Sequence, residues 1–371
     1  MSLIGTRVGT CHTHWERARH LPASLALLVL GDDVGMGEQT AASALGPEAA
    51  SMPAASRAGR LLSVAAMLGV GVLLALQSQI NGDLAGELGD GVRAGMTAAV
   101  ISFGSGLACL SALVLLEPRT RRAVAEVAVA TRNGVLRWWQ VVGGMAGACV
   151  VASQGLTVAT IGVALFTVAI VAGQSSSSLL VDHAGLGPAG RQRITTARAA
   201  GASLTVVAVG LAVAERFGNA GSLGATALGL ALLPLAAGCA AAYQQAVNGQ
   251  VNRVGGPWAA TWINFLAGTA LLVVLASLSF MLPGDLHSPP ATWWLYSGGL
   301  IGVVFISAAA VLVEVHGVLV LGLCTVAGQV LGALAIDALA DNTRIGALSV
   351  IGAVLTLGGV AVAASPGLRR G

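Results

Sequence analysis

The fold is decided by a stretch of 45 residues that occurs twice in the chain. Residues 138–182 read WWQVVGGMAGACVVASQGLTVATIGVALFTVAIVAGQSSSSLLVD, and residues 293–337 read WWLYSGGLIGVVFISAAAVLVEVHGVLVLGLCTVAGQVLGALAID. Aligned without a gap at an offset of 155, they share a tryptophan pair, several glycines, a Gly-Gln pair and a final aspartate. The shared positions in the first copy are Trp138, Trp139, Gly143, Gly144, Gly147, Gly162, Gly173, Gln174 and Asp182. Such an ordered series indicates an internal repeat.

The match continues on both sides of this stretch. Upstream, Gln77…Asn81-Gly82 matches Gln244…Asn248-Gly249, and Ile101-Ser102-Phe103 matches Ile263-Asn264-Phe265. Downstream, Arg193-Ile194 matches Arg344-Ile345. The repeat therefore extends over most of the chain after residue 60.

The composition is that of a membrane protein. Of 371 residues, 56% are hydrophobic and only 9% are charged, and the mean hydropathy is +0.83. In soluble domains, roughly a quarter of the residues are charged. The net charge of this chain, +3, is too small for nucleic-acid binding. All 19 basic residues are arginine, which excludes a Walker A loop and Schiff-base chemistry. The composition therefore excludes a soluble enzyme, a disordered chain and a nucleic-acid binder.

Hydropathy predicts an all-α polytopic membrane protein with ten transmembrane helices, since a membrane backbone must satisfy its own hydrogen bonds. The predicted spans lie near 61–80, 95–116, 138–158, 161–181, 195–214, 223–247, 258–281, 293–313, 317–336 and 345–364. The first repeat is predicted at 61–216 and the second at 217–371, with five spans each. Because five is odd, the second repeat enters the membrane from the opposite side. Inverted repeats of this kind are typical of secondary transporters with alternating access.

Residues 1–60 are more polar and are predicted to form a disordered cytoplasmic tail, although translation starting at Met52 is an alternative. The fragment Cys11-His12-Thr13-His14 lacks the spacing of a closed metal site. Thirteen of the sixteen arginines assigned to loops and flanks fall on one side of the predicted membrane. The positive-inside rule therefore places both termini in the cytoplasm.

The chain resembles the drug/metabolite transporter superfamily and, within it, the YdcZ-like inner-membrane exporters. The resemblance is carried by Leu76–Gly82, the Trp-Trp and Gly-Gly pairs, Gly173-Gln174 and Asp182-His183, with their counterparts in the second repeat. It covers about residues 61–364. It implies ten helices in two inverted halves, a central cavity and export of a small molecule from the bacterial cell.

Polar residues in spans 1 and 6 are candidates for substrate binding. Gln77 and Asn81 share one helical face, as do Gln244 and Asn248, and Tyr243 adds a hydroxyl beside the second pair. The alternative is a structural clasp between helices, worth about 0.6–2 kcal/mol. The Asn-Gly pairs also suit helix ends.

Spans 4 and 9 add further candidates because polar groups inside a membrane are costly. Gln174, Ser177, Ser178 and Gln329 are predicted to line the same cavity. Asp182 and Asp337 stand at span ends, where a carboxylate opposes the helix dipole and needs a partner. Arg193 or Arg198 is expected to pair with Asp182, and Arg344 with Asp337. The two aspartates are candidate gates or ion-coupling groups, and the alternative is a structural latch.

The mechanism is constrained by the lack of an acidic residue within any predicted span. Small multidrug transporters of the superfamily use a glutamate in the middle of the membrane for proton/cation antiport. Its absence favours a neutral or zwitterionic substrate, or a facilitated mechanism, here. No cofactor or metal is expected, and the partners are the lipid bilayer and the substrate, with a monomer or homodimer open. The alternative function is a structural or regulatory membrane subunit. A membrane enzyme is disfavoured because catalytic motifs such as HExxH and GxSxG are missing.

Overall fold

The computed structural model describes residues 57–217, 229 and 232–339, with positions 351, 354–355, 357–359 and 361–362 beyond them. Every regular element in these ranges is helical, as the sequence predicts. The helices are α1 (Arg57–Leu88), α2 (Gly91–Leu116), α3 (Pro118–Arg132), α4 (Trp138–Val141), α5 (Gly144–Ala184), α6 (Thr196–Phe217), α7 (Leu232–Ser279) and α8 (Gly298–Leu339), with a 3-10 turn at Trp293–Tyr296. Residues 1–56, which hold most of the predicted tail, and most of the tenth predicted span lie outside the described residues. The helices from residue 62 onward pack within one compact unit, Leu62–Gly371.

Four helical stretches among the described residues are long and apolar enough to cross a membrane. They are Leu61–Leu88, Gly91–Leu116, Leu232–Ser279 and Trp293–Gly332. The last two contain 48 and 40 residues, whereas about 20 residues span the hydrocarbon core. Each of them therefore covers most of two predicted spans.

Glycine breaks divide these two long helices. Gly256 has φ 72° and ψ 175° inside α7, and Gly317 has φ 76° and ψ 172° inside α8. This backbone region is almost restricted to glycine. Pro257 follows the first break, at a helix start where its missing N–H removes no hydrogen bond. The breaks separate predicted spans 6 from 7 and 8 from 9.

Helix α3 differs from the prediction, in which the residues between predicted spans 2 and 3 form a loop. Its arginines lower the local hydropathy, but one face is apolar: Val127 is buried against Val251, Ala259 and Ala260. The opposite face carries exposed arginines, namely Arg119, Arg121 and Arg122. The arginine-rich composition of this segment is typical of a loop and conceals its amphipathic pattern.

The core contains contacts that occur in pairs related by the repeat. The rings of Phe103 and Phe265 stack with their centroids 5.1 Å apart. A Cβ on Gly106 would overlap the ring of Phe265, and a Cβ on Gly268 would overlap the ring of Phe103. Glycine at both positions therefore allows the two phenylalanine-bearing helices, α2 and α7, to approach closely.

A second pair of contacts joins backbone to backbone. A Cβ on Gly71 in α1 would overlap the carbonyl oxygen of Thr325 in α8. A Cβ on Gly238 in α7 would overlap the carbonyl oxygen of Ile170 in α5. Gly71 aligns with Gly238 in the repeat, and Ile170 aligns with Thr325. Small residues thus permit the same close helix crossing at two places.

Candidate functional site

Asp182 lies near the C-terminal end of α5 and is only 1% exposed. Its carboxylate forms an ion pair with Arg198, in the first turn of α6. Of the two arginines predicted as partners, Arg198 makes this contact, whereas Arg193 contributes its backbone carbonyl to Arg198. The negative charge at an unfavourable helix end is therefore compensated, as expected from the helix dipole.

The same carboxylate caps the second segment of α8. The backbone N–H of Val318 donates to Oδ1 of Asp182 at 2.9 Å, and the N–H of Leu319 donates to Oδ2 at 3.1 Å. These residues follow the break at Gly317, so their N–H groups lack partners within the helix. The carboxylate also meets the positive end of that segment's dipole. Asp182 thus joins α5, α6 and α8 at one point.

Other polar side chains close the same end of the bundle. The Nε2 of Gln250 donates to the carbonyl of Leu186 at 3.2 Å. The Nδ2 of Asn252 donates to Oε1 of Glu314, just before the α8 break. These bonds link α7 to the loop after α5 and to α8.

The amide pair of the second repeat is tied to one acceptor. Gln244 Nε2 and Asn248 Nδ2 both donate to Oδ1 of Asn264, each at 2.9 Å. Asn264 was noted in the sequence only as a marker of the repeat, and nothing in its local pattern marked it as a hydrogen-bond hub. This geometry is that of the clasp alternative.

The amide pair of the first repeat is less completely bonded. Gln77 Nε2 donates to the carbonyl of Gly298 at 2.8 Å, which is again a clasp between helices. Serine occupies position 102, where the second repeat has Asn264. Oδ1 of Asn81 and Oγ of Ser102 are buried without a hydrogen-bond partner in the described part of the chain. Both atoms lie beside the bare Cα of Gly298.

The polar face of α5 lies between α7 and α8. Ser178 donates to the carbonyl of Gln174 at 2.6 Å, and Ser177 donates to the carbonyl of Cys239 at 3.3 Å. Tyr243 donates its hydroxyl to the carbonyl of Trp139 at 2.7 Å. Gln174 and Ser178 are buried, at 4% and 0% exposure.

In the second repeat, Gln329 is half-buried on α8, and its Oε1 has no hydrogen-bond partner among the residues described. Asp337 belongs to α8, but its side chain lies outside the described residues. The predicted pairing with Arg344 lies outside them as well.

Two clefts open at the surface of the described bundle. One, of about 190 Å³, is lined by Glu117, Arg119, Thr120, Ala123, Gly255, Pro257, Trp258 and Ala259. The other, of about 400 Å³, is lined by Gly82, Asp83, Gly86, Glu87, Thr292, Trp294 and Leu295. Neither cleft is lined by a predicted substrate-binding residue, because those residues pack between helices.

Long apolar helices with buried amides and a capped carboxylate define a polytopic helical membrane protein with a polar interior, a class that includes small-molecule transporters. The chain matches the sequence pattern of the family described as "Putative inner membrane exporter, YdcZ" over residues 62–211 and 229–362. It belongs to this family, which confirms the resemblance seen in the sequence. Membership places the chain among membrane transporters of the inner membrane, in contact with the lipid bilayer and a small-molecule substrate.

The fold is also similar to a solved one. A crystal structure aligns with a TM-score of 0.58 and 16% identity, covering 83% of this chain and 97% of that chain. At this identity the likeness shows the fold alone. No curated protein matches the chain.

Proposed function

We propose that the protein is a secondary transporter that exports a small molecule across the bacterial inner membrane by alternating access. Residues 61–216 and 217–371 form two five-helix repeats of inverted topology, and both termini are cytoplasmic. Family membership supports transport. The contacts between the two repeats support the alternating-access mechanism.

The observation that carries the proposal is the reciprocity of these contacts. Gly143 lies beside Oδ1 of Asn248, and Gly298 lies beside Oδ1 of Asn81. These four residues are two equivalent pairs of the repeat with their halves exchanged. A two-fold rotation produces such exchanged pairs, as in an isologous interface. With an odd number of spans in each half, the two-fold axis lies in the membrane plane, as in inverted-repeat carriers.

Gating is assigned to Asp182. Its carboxylate holds the α8 segment that begins at Val318, together with Arg198 from α6. Release of these bonds frees α8 to move relative to α5, which opens this end of the bundle. Asp337 holds the equivalent position in the repeat and is the candidate gate at the opposite membrane face.

The substrate is proposed to be neutral or zwitterionic. The polar side chains between the helices are amides and hydroxyls, and the one buried carboxylate at this site, Asp182, has both oxygens engaged. Gln174, Ser177, Ser178 and Gln329 remain candidates for lining the path. Gln77 and Tyr243 bond to helices of the other half, and Gln244 and Asn248 bond to Asn264 within the second half. All four are better explained as clasps between helix segments.

A structural or regulatory membrane subunit is the second candidate function. It is favoured by those same clasps, because this alternative expects the amides to face neighbouring helices. The two candidates differ in whether the purified protein moves a solute.

Solute flux in proteoliposomes tests the proposal. We expect wild-type protein to move at least one member of a panel of neutral, zwitterionic and charged solutes faster than protein-free liposomes. The double variant Gln174→Ala with Gln329→Ala should reduce this flux at least fivefold, since it removes two path-lining amides. Gln79→Ala is the control, because Gln79 is exposed and bonds only to Asp83 in the next turn. Wild-type flux equal to that of protein-free liposomes for every solute would support the structural subunit instead.

A further inference from the structure

We infer that Gln174, Ser178 and Gln245 surround Gly322 to form a binding point for an uncharged hydrogen-bonding group of the transported molecule, such as a hydroxyl or a carboxamide. The inference rests on the proposed transport function and names the chemistry that the transporter recognises. In the sequence, Gln245 adds a polar group to span 6 beside Tyr243, and the structure brings it next to Gln174 and Ser178.

Three polar atoms from two helices converge on a bare Cα of a third helix. A Cβ on Gly322 of α8 would lie 3.0 Å from Oγ of Ser178, 3.6 Å from Nε2 of Gln174 and 3.7 Å from Oε1 of Gln245. Gln174 and Ser178 belong to α5, and Gln245 belongs to α7. Glycine therefore lets three polar side chains from α5 and α7 lie close against the backbone of α8.

The hydrogen bonds at this point are incomplete. Oε1 of Gln245 is buried, and the described residues offer it no hydrogen-bond partner. An unpaired buried acceptor is destabilising unless a bound group donates to it. Ser178 donates its proton to the carbonyl of Gln174, so its oxygen is left to accept. The point thus offers acceptors at Gln245 and Ser178 and a donor at Nε2 of Gln174, which suits a group that both donates and accepts.

The charge around this point argues against an ionic ligand. Gln174, Ser178, Gln245 and Gly322 are all uncharged. Asp182 lies one helical turn from Ser178, but its two oxygens are engaged by Arg198 and by the α8 backbone. An ion brought here would lose its hydration without gaining a counter-charge, which is costly in a membrane interior.

The asymmetry of the repeat separates this point from ordinary packing. The clasp residues Gln77 and Gln244 occur in both halves, as do the glycines at the close crossings. The positions equivalent to Gln245, Ser178 and Gly322 are Ser78, Ala333 and Thr167, whereas Gln174 recurs as Gln329. Packing that holds two similar halves together is needed twice, whereas one ligand needs its binding group only once. The side chains around Gly322 occur in this combination in only one half, as expected of a group that binds one ligand.

The test measures ligand-induced thermal stabilisation of the purified full-length protein in detergent. The probes are ribitol, erythritol and nicotinamide as neutral solutes, with tetraphenylphosphonium and benzoate as ions. We expect at least one neutral probe to stabilise the wild type. Gly322→Ala brings a methyl group into contact with the three polar side chains and Gln245→Leu removes the acceptor, so each should weaken the apparent affinity about five- to tenfold. Gly104→Ala is the matched control, because a Cβ there meets nothing within 4 Å.

The outcomes separate this inference from the proposed function. Unchanged affinity in both variants, stabilisation by ions alone, or no stabilisation of the wild type by any neutral probe overturns the inference. Because Gly322→Ala adds one methyl group beside a rotatable hydroxyl, its unfolding temperature without ligand should stay close to that of the wild type. Binding of a neutral probe at Gly322, together with no flux of any solute above that of protein-free liposomes, would refute transport and leave the binding point in place.

Discussion

A single carboxylate serves three helices in this protein. Asp182 ends α5, pairs with Arg198 of α6 and accepts the backbone N–H groups of Val318 and Leu319. Breaking a buried ion pair from one side leaves an uncompensated charge, and here it also leaves unpaired N–H groups. This residue should therefore contribute more to stability than any one of its partners.

We predict that Asp182→Ala lowers the free energy of unfolding by about 3 kcal/mol, because it leaves Arg198 and two N–H groups unpaired. Asp182→Asn should lie between this variant and the wild type, since it keeps an oxygen for one N–H group. Denaturant unfolding in detergent micelles measures both. Arg193→Ala is the control because that side chain is exposed. A loss in Asp182→Ala no larger than in Arg193→Ala would contradict the prediction.

At this scale the sequence was only partly informative. The need of Asp182 for a cationic partner followed from its place at a helix end, and proximity narrowed the partner to Arg193 or Arg198. Its bonds to Val318 and Leu319 could not be predicted, because they join residues more than 130 positions apart. The role of Asn264 was missed for a different reason: its two donors are only 16 and 20 positions away, but they lie on the other side of the Gly256 break in α7.

The helices themselves were largely predictable from hydropathy, because long apolar runs have few other structures in lipid. The breaks at Gly256 and Gly317 fall between predicted spans. Of these two glycines, only Gly317 is a shared position of the 45-residue repeat. Helix α3 was missed because its apolar face is narrow and its arginines dominate the average. A hydropathy window reports the mean hydropathy of a segment. An amphipathic surface helix is instead defined by which residues share one face of the helix.

We predict that alanine at either break destabilises the protein by about 1–3 kcal/mol, since φ and ψ there suit only glycine. Gly317→Ala should cost about 1 kcal/mol more than Gly256→Ala, because its Cβ would lie 3.2 and 3.5 Å from the Asp182 oxygens that cap α8. Around Gly256 a Cβ meets nothing within 4 Å, so that variant measures backbone strain alone. Unfolding experiments on the two variants give the comparison. Equal losses would mean that the Asp182 contact tolerates the methyl group.

Across the whole molecule, the repeat was visible in the sequence, but the relation of its halves was inferred by counting spans. The structure adds where each end lies. Helix α3 packs at the beginning of the second α7 segment, against Ala259 and Ala260, and the loop 281–292 begins where that segment ends. A helix from Pro257 to Ser279 is about 34 Å long, close to the thickness of a membrane core. The α3 region and the loop 281–292 are therefore expected on opposite membrane faces.

We predict that a cysteine at Ser288 reacts with a membrane-impermeant maleimide in intact cells, whereas a cysteine at Asn133 reacts only after permeabilisation. Both side chains are exposed, and they lie in the equivalent connections after predicted spans 2 and 7. The variants Ser288→Cys and Asn133→Cys are made in a chain from which the five native cysteines have been removed. Labelling of both cysteines from the same side would be incompatible with halves of inverted topology.

The paired glycine crossings have a consequence for how the chain tolerates change. Two equivalent close crossings place Gly71 against Thr325 and Gly238 against Ile170. Another equivalent pair of contacts involves Gly106 and Gly268. A bulkier residue at one close crossing leaves the equivalent crossing in the other repeat intact, so it disrupts only half of this close packing. The duplication thus makes these contacts redundant. Successive substitutions at the close crossings should therefore lower the stability of the packing stepwise.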